Sequence, residues 1–117
     1  MTERTWRVRL GAAAELDFAN ILKWTAENFG PIQARIYRDT LLQTIAELAE
    51  GPDIVGSKAR DEIMRGLRTL HVARHGRRGH HFLMYRVEKR TIEIVRILHD
   101  AMELSRHLPS ATGDSEE

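Results

Sequence analysis

The run HHFLMYRVEKRTIEIVRIL, residues 80–98, constrains the fold more than any other part of the chain. In it His81, Leu83, Tyr85 and Val87 alternate with Phe82, Met84 and Arg86, so an extended segment here has one apolar face and one mixed face. In TIEIVRIL, Ile92 and Ile94 alternate with Glu93 and Val95, and the short EKR connection between the two runs reads as a hairpin turn. If that turn holds two or four residues, Val87 pairs with Ile92 and Arg86 with Glu93, which sets the two charges side by side on one face. A strand pair this apolar belongs inside a sheet, and other segments must supply its neighbours.

WRVRL is one such neighbour: Trp6, Val8 and Leu10 share a strand face and Arg7 and Arg9 share the other. In AAAELDFANILKWTAENF the spacings Leu16, Ala19, Leu22 and Phe18, Ile21, Trp24 fit a helix with a broad apolar stripe. Gly30 stops it, Pro31 suits the first turn of a second helix, and Ala34, Tyr37, Leu41, Leu42, Ile45 and Leu48 recur at helical spacing until Gly51 and Pro52. Residues 52–66 are polar and irregular, with Gly56 and Gly66 as breakers, and read as a loop with room for one helical turn. LRTLHVAR supplies a further strand, Leu70 and Val72 on one side and Thr69, His71 and Ala73 on the other, with HGRRG as its turn. DAMELSRHL reads as a short amphipathic helix capped by Asp100, and the polar, acidic PSATGDSEE as a disordered tail.

The expected fold is therefore α+β: an N-terminal strand, a helical hairpin, a three-stranded antiparallel meander that the first strand joins in one small sheet, and a short C-terminal helix. Residues 1–108 form one domain and 109–117 the tail, since 117 residues suffice for a single core. The hairpin covers one sheet face. The other is expected to stay open, and an open face with apolar and cationic side chains is a candidate binding surface.

The chain has no cysteine, which excludes a disulfide framework and a thiolate metal site and fits a reducing cytoplasm. MTERTW has no apolar run after it, and nothing approaches the roughly 20 apolar residues that cross a bilayer, so a soluble cytoplasmic protein without membrane contact is expected. The net charge of +1 hides a strong division along the chain. Residues 58–90 carry ten basic and three acidic groups, whereas residues 11–57 carry three and seven. A basic middle between acidic segments gives a dipolar field suited to a polyanion or an acidic protein.

Among single residues, Tyr85 is expected to fill the core between sheet and helices. Phe82 and Met84, awkward in water, offer apolar area on the open face that a partner helix would cover. His71, His75, His80 and His81 invite a metal, but they alternate across strand faces and no carboxylate accompanies them at ligand spacing, so no metal is expected. His99, where strand meets helix, suits a capping hydrogen bond better than chemistry.

The helical-hairpin turn NFGPIQA with Tyr37 following, GLRTL ahead of the second strand, and above all FLMYRVEKRTIEIVRILHDAMEL resemble the ParE branch of the RelE/ParE toxin superfamily. The resemblance spans roughly residues 6–108 and is strongest after Gly66. It implies the toxin half of a type II toxin-antitoxin pair, neutralised by a ParD-like antitoxin. RelE-type members of the superfamily are ribosome-dependent mRNA endonucleases, and ParE-type members poison DNA gyrase. In the ribonucleases an arginine stands three residues before the strand tyrosine; counting back from Tyr85 gives Phe82. After Leu98 come His99, Asp100 and Ala101, without the cationic residue and later tyrosine of ribonuclease members. The expected function is thus gyrase inhibition, with no catalytic residue and no cofactor, and with DNA met only through gyrase or the antitoxin. Phe82, Met84, Arg86 and His71 are the expected antitoxin contacts, and Arg74, Arg77, Arg78, Arg96 and His99 the target-binding candidates. The alternatives are a RelE-type endonuclease, for which Arg74, Arg86, Arg96 and His99 are the residual constellation, and a non-toxic binding module that retains the fold.

Overall fold

The computed structural model describes residues 6–101. Strand β1 (Arg7–Leu10) runs into helix α1 (Ala12–Phe29), which turns at Gly30 into α2 (Pro31–Glu47) and a 3₁₀ turn (Leu48–Glu50). Strands β2 (Lys58–Ala59), β3 (Arg68–His71), β4 (His81–Glu88) and β5 (Thr91–His99) follow. The hairpin turn is tight because Gly30 adopts φ 95°, a backbone conformation that a side chain resists, and Pro31 then starts α2 with a φ already suited to it.

The sheet order is β1-β5-β4-β3-β2, with β1 parallel to β5 and every other pair antiparallel. Val87 pairs with Ile92 and Arg86 with Glu93, the register that a two-residue turn at Lys89 and Arg90 sets. The α+β architecture and the helical hairpin agree with the sequence. The expected C-terminal helix and tail, beyond Ala101, lie outside the described residues.

The core lies between the hairpin and one sheet face. Ala14, Leu41 and Leu48 from the helical side meet Leu70, Val72, Leu83, Tyr85, Ile92, Ile94 and Ile97, all buried, with Phe18, Ile21, Leu22 and Ile45 packed around them. Tyr85 is fully buried, and its hydroxyl donates to the Pro52 carbonyl at 2.6 Å, so the ring supplies core volume and its polar end is satisfied.

Three features depart from the sequence reading. First, residues 58–59 form a short edge strand, too brief to carry a period of its own. Second, the opposite sheet face is not open. The Arg60 amide donates to the Leu67 carbonyl at 2.7 Å and the Gly66 amide to Asp61 Oδ1 at 2.7 Å, which curls residues 60–67 over the sheet. Ile63, Met64 and Leu67 from this turn pack with Met84, Val95, Leu98 and Phe82 in a second apolar cluster. Third, β5 carries a bulge: Met84 pairs with Arg96 and Tyr85 with Ile94, which leaves Val95 as the extra residue. The bulge switches parity, so Ile92, Ile94 and Ile97 face the helices while Val95 and Leu98 face away.

Candidate protein-binding groove

The same bulge decides what sits at the far end of β5. Strict alternation from Ile94 would put His99 on the side of Glu93; the shifted parity brings it to the helical side, directly opposite His81 in register. His99 and His81 rings meet edge to face at 5.1 Å between centroids, and His80 stacks against His99 at 5.9 Å. Tyr37 of α2 reaches the same place. Its hydroxyl accepts the His80 backbone N–H at 3.1 Å and lies 2.7 Å from His81 Nδ1. Burial, helped by the neighbouring His99, depresses the His81 pKa to about 4, so the ring is neutral at physiological pH. Burial likewise pushes the Tyr37 hydroxyl up.

Gly79 lets the loop before β4 come this close. A Cβ there would stand 2.5 Å from Val72 Cγ2 and 3.0 Å from the Tyr37 oxygen, so only glycine fits.

Between this histidine end and the hairpin runs an open groove of about 1170 Å³. Ile21, Trp24, Phe29, Ile36, Tyr37 and Ile97 provide its apolar lining. Trp24, Phe29 and Ile36 are 56%, 64% and 54% exposed, and the Trp24 and Phe29 rings pack edge to face at 5.6 Å. Large side chains left this open at the wall of a groove mark a protein-binding surface rather than a core. Arg78, His80 and His99 form the polar end.

The structure sorts the residues singled out in the sequence. Met84, expected on an open face as an antitoxin contact, is fully buried under the 60–67 turn, because that turn's own apolar residues need the same cover. Phe82 is half-buried at the edge of that cluster. Arg86 is exposed and donates to Glu93 Oε1 at 3.1 Å, while Arg9 reaches Glu93 Oε2 at 3.3 Å, so the expected cross-strand pair is part of a triplet. His71 accepts the Ala73 N–H on Nδ1 at 3.0 Å and donates from Nε2 to Asp100 Oδ2 at 2.8 Å. That bond holds the Asp100 carboxyl below its usual range.

Of the target-binding candidates, three arginines are already engaged. Arg77 forks onto both Glu47 oxygens at 2.8 and 3.1 Å and donates to Thr44, and Arg74 Nε lies 3.0 Å from Glu47 Oε1 in an ion-pair contact outside hydrogen-bond geometry. Burial alone would raise the Glu47 carboxyl, but the Arg77 bonds and the two arginine charges hold it low. Arg96 forks onto Asp17 of α1 at 2.7 and 2.9 Å, and Asp17 also accepts the Ile97 N–H at 2.9 Å, beyond the end of β1, where no strand among the described residues pairs that edge. The pairing with Asp17 raises the Arg96 pKa further. Arg78 is exposed and lines the groove with His99; Arg77 and Arg96 line it too but are held by Glu47 and Asp17, and Arg74 alone of the five is not part of its lining.

The groove's apolar wall was missed in sequence although a signal existed. Ile32 and Ile36 fell outside the α2 stripe, and α1 carries more large apolar residues than one buried face holds, so Leu16, Trp24 and Phe29 remain outside. Among the described residues, no group of three or more His, Asp or Glu is arranged to hold a metal, and no helix is long and apolar enough to cross a membrane.

A family model described as the ParE toxin of the type II toxin-antitoxin system, parDE, matches residues 8–104. Toxin ParE1 of Mycobacterium tuberculosis (strain H37Rv) is 36% identical over 103 residues, covering 87% of this chain and 97% of that protein. Among solved structures, the chromosomal ParDE TA system from P. aeruginosa superposes with a TM-score of 0.68 at 20% identity, covering 83% of this chain and 98% of the matched one. The YoeB dimer from Staphylococcus aureus follows at 0.51 and 13%, covering 79% and 93%, a likeness of fold alone.

Proposed function

The chain belongs to the ParE toxin family of type II toxin-antitoxin systems, and from that membership we propose that it acts in the cytoplasm as an inhibitor of DNA gyrase, silenced by a ParD-like antitoxin. The antitoxin lays an amphipathic segment in the groove between the helical hairpin and the histidine end of the sheet. The observation that carries this reading is the wall of Trp24, Phe29 and Ile36, large apolar side chains held open to water beside a polar rim. The seat moves from the sheet face to the groove because Met84 is covered by the chain's own 60–67 turn.

Gyrase is favoured over ribosome-bound mRNA by what the cations are doing. Of the residual ribonuclease constellation, Arg74 and Arg96 are held by Glu47 and Asp17 and Arg86 pairs with Glu93, and Thr69 on β3 is buried and bonded to Arg60. Little remains of the residual ribonuclease constellation once its arginines are paired. The test is supercoiling of relaxed plasmid by purified gyrase: the chain is expected to inhibit it, and addition of the neighbouring gene's product to restore it. Unimpaired supercoiling, together with cleavage of mRNA on translating ribosomes, would instead establish the endonuclease.

A further inference from the structure

We infer that Arg78, His80, His81 and His99 form an anion-selective end of the groove, which takes an aspartate or glutamate carboxylate of the amphipathic segment seated there. This rests on the reading of the groove as the antitoxin's seat and adds the chemistry by which that partner is recognised.

The argument begins from which ring nitrogens are already occupied. His99 Nδ1 accepts the Ala101 backbone N–H at 3.0 Å, so its proton resides on Nε2. The Tyr37 oxygen takes the His80 N–H, and we assign its hydroxyl proton to Nδ1 of the neutral His81 ring 2.7 Å away. His81 therefore also carries its proton on Nε2. Among the described residues no acceptor pairs with either Nε2–H. Two imidazole donors thus line the same groove as Arg78, which has no ion pair among the described residues, and as the exposed His80.

The acidic groups nearby are engaged by other partners, Asp17 fully and Asp100 through one oxygen. Asp17 is occupied by Arg96 and the Ile97 N–H, and Asp100 by His71, with His99 Nδ1 3.5 Å from its other oxygen. Tyr37 reaches the cluster from α2, Arg96 and Asp17 line the same groove, and His71 on β3 meets it only through Asp100. At this end of the groove N–H donors and one cation remain available, while among the described residues the only side-chain acceptor left without a donor beside them is the second Asp100 oxygen. A partner that placed a lysine or arginine here would leave it unpaired against Arg78, and an apolar side chain would strand the donors. A carboxylate satisfies all of them, while the apolar face of the same segment covers Trp24, Phe29 and Ile36.

Binding of the purified product of the neighbouring reading frame to the full chain and its variants tests this. Arg78→Gln, at an exposed position whose unfolding midpoint is expected to stay unchanged, should raise the dissociation constant about tenfold and flatten its dependence on salt. Arg78→Lys should recover much of that loss, and His99→Gln should add to it. Trp24→Ser reports on the seat itself. If Trp24→Ser weakens binding while Arg78→Gln and His99→Gln leave both affinity and salt dependence unchanged, the carboxylate inference is overturned and the seat stands. If none of the three variants has an effect, the groove is not the seat and the inference falls with it.

Discussion

Two clusters in this molecule share one composition, a glutamate between two arginines, and differ in surroundings. At the turn end of the sheet, Glu93 lies between Arg9 and Arg86, whose side chains are 61% and 52% exposed. Behind the groove, Glu47 lies between Arg74 and Arg77, at 13% and 15%. Water screens the first and barely reaches the second, so the same charges are a surface ornament of β4–β5 in one place and the clasp that pins the 73–80 loop to α2 in the other. Arginine count in a sequence is thus a poor guide to grip, because solvent decides which arginines are still available to a partner.

Removing the glutamates is the strongest way to break this comparison. Glu47→Gln leaves two largely buried guanidinium groups without their charge partner, and urea unfolding is expected to show a loss of about 2–4 kcal/mol. A loss as small as that of an exposed pair would mean that the clasp does not hold the loop.

Acid sharpens the contrast at intermediate size. His81 titrates near 4 in the fold against about 6.5 when unfolded, so the unfolded chain takes up the proton first as pH falls. Stability should therefore be undiminished above pH 6.5, decline below it, and be fully lost from this source near pH 4. Allowing for partial exposure of the ring, the decline amounts to about 1–2 kcal/mol. His81→Gln should flatten the unfolding midpoint across that window; an unchanged slope would assign the acid sensitivity elsewhere.

The smallest expected effect belongs to the turn end. Glu93→Gln should cost no more than about 1 kcal/mol, and the cost should shrink further in high salt. A loss matching that of Glu47→Gln would erase the distinction between the two clusters.

Much of this fold was legible because period and punctuation agreed. The alternation in residues 81–87 and 91–94, the Gly30–Pro31 junction and the stripe of α2 each specify one element, and Tyr85 sits in the core as its face required. What escaped had no period to show. A two-residue strand at Lys58 and Ala59 looks like loop, and Ile63, Met64 and Leu67 look like scattered apolar residues until the turn that carries them closes on Met84. The bulge at Val95 is one residue without a signature in sequence, yet it moves His99 across the sheet and so makes the groove's polar end. The candidate site was accordingly half visible: the histidines and Arg78 stood out by type, whereas the wall of Trp24, Phe29 and Ile36 depended on knowing which helix faces the core leaves uncovered.

Hydrogen exchange of the toxin-antitoxin complex, compared with the toxin alone, tests the placement of the partner most directly. New protection is expected in α1 from Asn20 to Phe29, in α2 from Gln33 to Thr40 and in the loop at residues 76–81. Protection confined to residues 60–67 and the sheet face around Phe82, with the groove exchanging as in the free toxin, would contradict it.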